Sequence, residues 1–214
     1  MSRSLKYDIP GIDFRVELAA AAERGFGELF GADLAKPLPL VLEIGFGRGE
    51  FLMHLAEASP ETAFVGVEYS SKRVLKLARR IARSPLRNVR LIEATAEQVV
   101  AEALLPASVC CCWVNFPDPW PKKRHFKRRL IQPAFVSALR ERLVPGGALH
   151  IATDHPGYAE WIDEVLSAAH GLENRCAPDR FRAEALGRMP TAYELEWRAL
   201  GRSLHFFEYA RSGD

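Results

Sequence analysis

The sequence has few cysteines and lacks the histidine spacings of common metal sites. The four cysteines stand at positions 110, 111, 112 and 176, and the six histidines include no H-E-x-x-H pattern. Three consecutive cysteines cannot form a C-x-x-C clamp, and neighbouring residues of a strand point to opposite faces. We therefore expect no metal site. We interpret the cysteines as small buried side chains of a reduced, cytoplasmic protein.

Long apolar runs are also missing. No stretch approaches the roughly 20 apolar residues that cross a membrane, and the first residues, MSRSLKYDIP, lack the apolar core of a signal peptide. We therefore expect no membrane partner. The length of 214 residues and the hydrophobic share of 48% suit one globular domain with a substantial core. We expect a monomer or a weak homodimer.

A large net charge is missing as well, so nucleic-acid binding can only be argued from where the charges cluster. The chain has 29 Lys and Arg against 27 Asp and Glu. Yet residues 72–90 contain eight Lys or Arg and no acid, and residues 122–129 contain six Lys or Arg. These clusters predict one face suited to phosphates, although each could also be an ordinary solvated surface.

Strand-like and helix-like segments alternate along the chain. The first predicted strand begins at Leu40. The other predicted strands cover 63–68, 89–92, 109–115, 148–153, a segment near Cys176 and 203–209. The predicted helices cover 14–24, a segment ending at Ala58, 72–84, 95–104, 130–143, 158–169 and 191–200. This alternation predicts an α/β fold with a doubly wound, mostly parallel, Rossmann-like sheet of seven strands, the last one antiparallel.

We predict two parts in the chain. Residues 1–37 form an N-terminal segment that packs on the core or contacts RNA, and residues 38–214 form the main domain. The first part has an Ala-rich helical piece and a Gly-rich connection, whereas the regular alternation of strands and helices begins only at Leu40.

A glycine-rich turn follows the first strand, at Gly45, Gly47 and Gly49. Ligands of open α/β sheets bind beyond the carboxyl ends of the strands, and glycines there allow a ligand to approach the backbone closely. The second strand ends in Glu68, 19 residues past Gly49, where a carboxylate can hold a ribose diol. The sequence therefore predicts a nucleoside site at this turn.

The spacing of the turn separates two kinds of nucleotide site. The dinucleotide pattern G-x-G-x-x-G would need a glycine at position 50, where the chain has Glu50. The chain instead reads E-x-G-x-G-x-G from Glu43, and an acid inside the strand suits a cationic nucleoside without phosphates. The pattern resembles the class I methyltransferases that use S-adenosylmethionine (SAM). Another nucleotide, or a nicotinamide-dependent oxidoreductase, remains the alternative.

The fourth strand leads into a stiff acidic and aromatic loop, N-F-P-D-P-W-P, followed by a basic run. Prolines flank Asp118 and restrict the backbone, so the carboxylate and Trp120 are presented with little entropy left to lose. Such a loop beside a basic strip suits a flat base attached to a polyanion. A proline-rich strand exit followed by a solvated charge run is the alternative.

Three motifs resemble the bacterial tRNA (guanine-N7-)-methyltransferases. They are N-F-P-D-P-W-P-K-K-R-H from position 115, A-T-D-H at 152–155 and T-A-Y-E at 191–194, and the resemblance extends from about residue 26 to the C-terminus. It implies a SAM cofactor, a tRNA partner and methylation of N7 of guanosine 46 in the variable loop. A small-molecule or other RNA substrate is one alternative, and a non-catalytic RNA-binding module is another.

The resemblance also implies site residues. Glu43, Glu68, Asp118 and the three turn glycines would bind the cofactor, and the alignment adds Thr95, where the family often has Asp. Contacts with the substrate would come from Lys122, Asp154, Thr191, Tyr193 and Glu194, and contacts with the RNA backbone from Lys123 and Arg124. The family's T-K-F-E lacks its lysine here, because Ala192 stands in that place.

Two of these assignments, and the role of Trp120, keep an alternative. Asp154 could instead cap the helix that follows it, Glu194 could cap the last helix, and Trp120 could pack under its loop rather than stack on a base. For Asp118 we predict a catalytic role. Guanine N7 carries a lone pair and no proton at neutral pH, so no general base is required. A carboxylate can orient the guanine edge and offset the positive charge that methylation creates.

Overall fold

The computed structural model describes residues 8–31, 38–185 and 189–213. Its centre is a seven-stranded sheet in the order β3-β2-β1-β4-β5-β7-β6. The strands are β1 (Leu40–Ile44), β2 (Ala63–Glu68), β3 (Val89–Glu93), β4 (Val109–Asn115), β5 (Leu143–Thr153), β6 (Leu172–Asn174) and β7 (His205–Arg211). Strands β1 to β5 run parallel, whereas β7 is antiparallel to both β5 and β6. The predicted fold class is confirmed.

Helices cover both faces of the sheet. They are α1 (Leu18–Gly31), α2 (Glu50–Ala58), α3 (Ser71–Ala82), α4 (Ala96–Gln98), α5 (Pro133–Arg142), α6 (Pro156–Ser167) and α7 (Ala192–Ala199). A π-helical turn, Val99–Ala103, continues α4, and a 3-10 helix, Lys123–Arg128, precedes α5. Helices α1, α4, α5 and α6 pack into the core on one face, and α2 and α3 pack on the other.

The helix pattern is clearest in α3. Its inward residues, Val74, Leu75, Leu77, Ala78 and Ile81, are all buried, as their spacing predicts. Strands β1 and β2 are buried on both faces because helices cover each side of the sheet, which is typical of parallel strands. These two strands and α3 fix the position of the glycine turn.

The first helix lies further along the chain than predicted. The sequence predicts 14–24, but α1 covers Leu18–Gly31. Residues before it are extended, because the Val16 amide donates to the Leu91 carbonyl (2.8 Å) and Leu91 donates to Phe14 (3.0 Å). Residues 14–16 therefore pair with the edge of β3, although their composition predicts a helix. Residues 32–37 lie outside the described ranges, so the division at residue 37 stays a prediction.

The fifth strand is longer than predicted. The Pro-Gly-Gly sequence at 145–147 predicts a break between helix and strand, yet β5 includes it. The chain accommodates it as an irregularity: β5 advances five residues, from Leu143 to Ala148, where β4 advances two. Gly146 has a φ of 77°, which favours glycine. Proline and glycine therefore mark a bulge here and not the start of the strand.

The remaining predictions differ in smaller ways. Strand β6 ends two residues before Cys176, near which the sequence predicts it. Cys112 and Cys176 are buried as expected, but Cys110 and Cys111 are only partly buried. Among the described residues, no helix has the length and apolar character needed to cross a membrane.

Candidate functional site

A cavity of about 350 Å³ lies at the carboxyl ends of β1, β4 and β5. Its walls come from four segments that are distant in the sequence: the glycine turn, the loop after β4, the end of β5 and the start of α7. The lining residues that the sequence predicts as site residues are Glu43, Gly45, Gly47, Gly49, Asp118, Asp154, Thr191 and Tyr193. The fold thus brings the cofactor motif and the two later motifs together.

The glycine turn depends on glycine for two reasons. Gly45, Gly47 and Gly49 all have positive φ, at 73°, 55° and 72°, which side chains disfavour. In addition, a Cβ at Gly49 would lie 2.3 Å from a methyl carbon of Leu77 in α3. The turn is therefore tight against α3 and leaves its backbone open to the cavity.

Two buried acids stand beside this turn. Glu43 in β1 is 2% exposed and lines the cavity, and Glu68 at the end of β2 is 1% exposed. The Glu68 carboxylate accepts hydrogen bonds from the Gly47 amide (3.2 Å) and the Ser70 amide (3.1 Å). The Arg73 guanidinium adds an ion pair at 3.3 Å. Glu68, the residue predicted to bind the ribose, is thus hydrogen-bonded directly to the backbone of the glycine turn.

The loop after β4 presents Asp118 at the cavity, where its side chain is exposed. The loop is bent sharply, since Phe116 and Trp120 have φ values of 53° and 42°. Just before it, the side-chain amide nitrogen of Asn115 is buried at the cavity wall and donates to no described residue. The end of β4 therefore offers a carboxylate and an amide donor to a ligand.

Arg129 supports this loop from inside. It is 2% exposed, and its guanidinium donates to the carbonyls of Pro119 (2.9 Å) and Gly157 (3.3 Å). The guanidinium also lies between the rings of Phe126 and Tyr158, 3.8 and 4.8 Å from their centres. Burial lowers the pKa of Arg129. Arg129 is therefore an interior cation, although in the sequence it stands within a run of cations that are at the surface.

The rest of the basic run is at the surface. Lys122, Lys123 and Arg124 are exposed and follow directly after the cavity loop; we call these three residues the basic strip. Trp120 lies edge-on to His125, with ring centres 5.6 Å apart, and Arg128 lies 5.1 Å from the Trp120 ring. Trp120 thus packs within its own loop in this structure.

On the other side of the cavity stands Asp154. It does not cap α6, because the next residue, His155, accepts the capping hydrogen bond from the Tyr158 amide at 3.2 Å. The Asp154 carboxylate, only 10% exposed, pairs instead with Arg202 at 2.8 Å. The Arg202 guanidinium lies 3.5 Å from the ring centre of Trp197. Asp154 is thus held at the cavity from the turn before β7.

The start of α7 completes the wall. The Thr191 hydroxyl caps the helix by accepting from the Glu194 amide at 3.0 Å. The Tyr193 ring packs on Phe116, with ring centres 4.9 Å apart, and so joins α7 to the loop after β4. Partial burial raises the pKa of the Tyr193 phenol, and the Asp154 charge adds to the rise.

Known proteins with similar sequences agree on one activity. The model of a methyltransferase family, described as "Putative methyltransferase", matches residues 37–207. The tRNA (guanine-N(7)-)-methyltransferase of Halorhodospira halophila is 42% identical over 87% of this chain and 80% of its own. That of Alkalilimnicola ehrlichii is 46% identical over 79% and 70%. The chain belongs to the tRNA (guanine-N(7)-)-methyltransferase family. This confirms the resemblance and, with it, SAM as the cofactor.

Solved structures show the same fold for this family member. The 16S rRNA methyltransferase KamB superposes with a TM-score of 0.58 at 18% identity, covering 81% of this chain and 88% of its own. A mutant of the 16S rRNA (adenine(1408)-N(1))-methyltransferase of Catenulisporales acidiphilia, with its cosubstrate SAM, gives 0.57 at 20% identity, covering 91% and 90%. At these identities the similarity concerns the architecture alone.

Six predicted site residues of this methyltransferase lie outside the cavity lining. Glu68 is hydrogen-bonded to the glycine turn, and Lys122, Lys123 and Arg124 form the basic strip. The other two lie at helix starts. Thr95 is exposed and caps α4, in a capping box with Gln98. Glu194 is 2% exposed, and its carboxylate pairs with Arg198 at 3.2 Å. Both positions organise helix starts in this structure, and their contacts with cofactor or tRNA stay predictions.

The sequence missed three residues that shape the site of this methyltransferase. Arg129 braces the Asp118 loop, Arg202 holds Asp154, and Arg73 pairs with Glu68 while also lining the cavity. Each is an arginine within a basic or unremarkable stretch. Proximity to a motif offered a signal for Arg129 and Arg73, whereas Arg202 lies 48 residues from its partner.

Proposed function

We propose that this protein transfers a methyl group from SAM to N7 of guanosine 46 in the variable loop of tRNA. One observation carries the proposal: a single cavity joins the glycine turn with Asp118, Asp154 and Tyr193, and the basic strip begins at its rim. The cavity thus has one end suited to a nucleoside cofactor and another suited to a base on a polyanion. The names of the family relatives support N7 of a tRNA guanine as the target.

The residues present fit the cofactor. The volume of about 350 Å³ lies within the range of small-molecule sites, roughly 300–1,000 Å³. The glycine turn leaves a cradle that side chains would fill, and Glu68 is fixed against it by the Gly47 amide. Glu43 is a buried acid suited to a cationic ligand, and the buried Asn115 amide is available as a donor. When bound, SAM supplies an electrophilic methyl group on a positively charged sulfur.

The chain itself has two tasks, orientation and charge stabilisation. Guanine N7 is unprotonated at neutral pH, so no residue has to remove a proton. We assign Asp118 the catalytic role of orienting the guanine edge and stabilising the positive charge of the methylated base. Asp154, Thr191 and Tyr193 would bind the target nucleoside, and Lys122 would bind beside it. Lys123 and Arg124 would contact RNA phosphates.

The product can be mapped chemically. Unmodified tRNA transcripts are incubated with labelled SAM, and the RNA is treated with borohydride and then aniline, which cleaves at 7-methylguanosine. We expect cleavage at position 46 alone, and none in a transcript with adenosine at that position. Label in tRNA without cleavage would show another target atom. Label only in small molecules would show that the substrate is not tRNA.

A further inference from the structure

The outer face of α3 carries a stripe of like charge. Lys72, Lys76 and Arg83 are exposed, with Arg79 and Arg80 half-buried beside them, and the segment contains no acid. We call these five residues the α3 stripe. Of the described cations of α3, only Arg73 makes an ion pair, and its partner Glu68 is part of the cofactor site.

The first part of the stripe opposes the stability of its own helix in two ways, whereas Arg79 and Arg80 in the last turn suit the helix dipole. Lys72 and Lys76 stand four residues apart, as do Lys76 and Arg80, and like charges at this spacing repel. Lys72 and Arg73 also occupy the first turn, where the helix dipole favours acids. By contrast α6, on the other face of the sheet, carries three acids and no Lys or Arg. A bound polyanion would relieve the repulsion between the cations of α3, and this relief would make its binding more favourable.

The stripe is fixed beside the cavity. Arg80 donates to the Arg48 carbonyl of the glycine turn at 2.8 Å, and Leu77 packs directly under Gly49. Arg73, in the first turn of α3, itself lines the cavity. The basic strip at Lys122 leaves the same cavity from the loop after β4. A nucleoside bound in the cavity would therefore have cations on two sides, from α3 and from the basic strip after the β4 loop.

We propose that the α3 stripe is a second phosphate-binding surface for the tRNA substrate, separate from the basic strip. From residue 72 to residue 83 the helix extends roughly 16 Å, at about 1.5 Å per residue, which is long enough for more than one phosphate. The proposal rests on the proposed function, since it takes tRNA as the polyanion. The RNA then lies across the cavity and does not approach from one side only.

The test is the salt dependence of tRNA binding. A triple variant, Lys72→Gln, Lys76→Gln and Arg83→Gln, removes three exposed charges and keeps good helix formers. The dissociation constant for unmodified bulk bacterial tRNA is measured between about 50 and 200 mM salt. We expect the logarithmic slope to fall by about two and the affinity to weaken roughly tenfold or more. The dissociation constant for SAM should stay unchanged, which also shows that the fold is intact.

A matched control separates local contacts from total charge. Arg140→Gln, Arg175→Gln and Arg180→Gln remove the same charge from surface arginines on α5 and near β6. Their slope should stay close to that of the original protein. An equal fall in both triples would mean that only the net charge matters, and the α3 proposal would be wrong.

Two further outcomes separate this proposal from the proposed function. If the α3 variant keeps the original slope while the protein still forms 7-methylguanosine, α3 is a solvated face and the function stands. If the original protein neither binds nor methylates tRNA, the proposed function fails and the α3 surface fails with it.

Discussion

At the residue scale, the carboxylates of the site differ in how they are held. Glu68 is almost fully buried and receives three hydrogen bonds or ion pairs, whereas Asp118 is exposed on a proline-stiffened loop. The Glu68 carboxylate is held in one position by its partners, so it is suited to positioning a ligand. An exposed acid can approach the base and respond to the charge that appears there. The two acids therefore predict different consequences of substitution.

Replacing Glu68 should affect cofactor binding. Glu68→Ala would remove the predicted ribose contact together with the anchor of the Gly47 amide. We therefore expect SAM affinity to fall by about 1.5–3 kcal/mol, the range for hydrogen bonds to a charged group. Isothermal calorimetry measures this directly. An affinity equal to that of the original protein would rule out the ribose assignment.

Replacing Asp118 should affect catalysis. Asp118→Asn keeps the shape of the loop but removes the charge, so we expect methyl transfer to slow by about two or three orders of magnitude, as for other lost transition-state stabilisers. SAM affinity and thermal stability should change little. Single-turnover rates with saturating tRNA measure the effect, and activity within a few-fold of the original would make Asp118 only a loop residue.

The pair of Asp154 and Arg202 can be tested by a double-mutant cycle. Asp154→Asn and Arg202→Gln should each lower kcat/KM for tRNA, and the double variant should lose little more, because the two residues act as one unit. We expect a coupling energy of about 1 kcal/mol or more, and partial recovery in Arg202→Lys. SAM affinity is the control. Additive losses would show that Arg202 does not position Asp154.

At the scale of elements, the loop after β4 is supported by the side chain of one arginine. Arg129 replaces regular secondary structure as the support of this loop, since its guanidinium bonds two carbonyls and fills the space between two rings. The 3-10 helix Lys123–Arg128 between the loop and Arg129 contains no buried residue. The position of Asp118 thus depends on a residue that is not part of the cavity lining.

Removing this support should loosen the loop. Arg129→Met fills most of the space but leaves the Pro119 and Gly157 carbonyls without their donor, so we expect a loss of about 1–3 kcal/mol in the free energy of unfolding. Methylation should slow more than SAM binding weakens. Urea denaturation and calorimetry give both values. Lys127→Met, at an exposed neighbouring position, is the matched control and should leave stability unchanged within about 0.5 kcal/mol.

The sequence predicted those elements whose identity follows from local pattern. The apolar runs of β1 and β2, the glycine turn and the amphipathic α3 each carry their own signal, so the positions of Glu43 and Glu68 beside the turn could be predicted. The composition of residues 14–17 predicts a helix, because pairing with Leu91 is not visible in composition. The role of Arg202 could not be predicted, because it depends on how β7 places the preceding turn beside Asp154.

At the scale of the whole molecule, like charges are concentrated on particular helices. Helix α6 carries three acids and no Lys or Arg, whereas α3 carries cations and no acid, and the two helices lie on opposite faces of the sheet. The near-neutral total charge therefore conceals local clusters of one sign. A cationic cluster beside the cavity suits a polyanion such as RNA.

Neutralising the basic strip should weaken tRNA binding without changing the cofactor site. In the triple variant Lys122→Ala, Lys123→Ala and Arg124→Ala, fewer counterions are released on binding, so the logarithmic salt slope should fall by about two. SAM affinity should not change. Filter-binding titrations at several salt concentrations measure the slope. An unaltered slope would mean that RNA binds elsewhere on the molecule.

The position of β7 in the sheet sets an order on biosynthesis. Strand β6 reaches the sheet only through β7, which follows it in the chain and pairs with both β5 and β6. While the chain emerges from the ribosome, β1 to β5 can associate in turn, but the edge of β5 stays open until residues 205–211 arrive. The Asp154 side of the cavity closes at that moment, since Arg202 immediately precedes β7. A nascent chain would therefore form the glycine-turn side of the cavity first and the Asp154 side last.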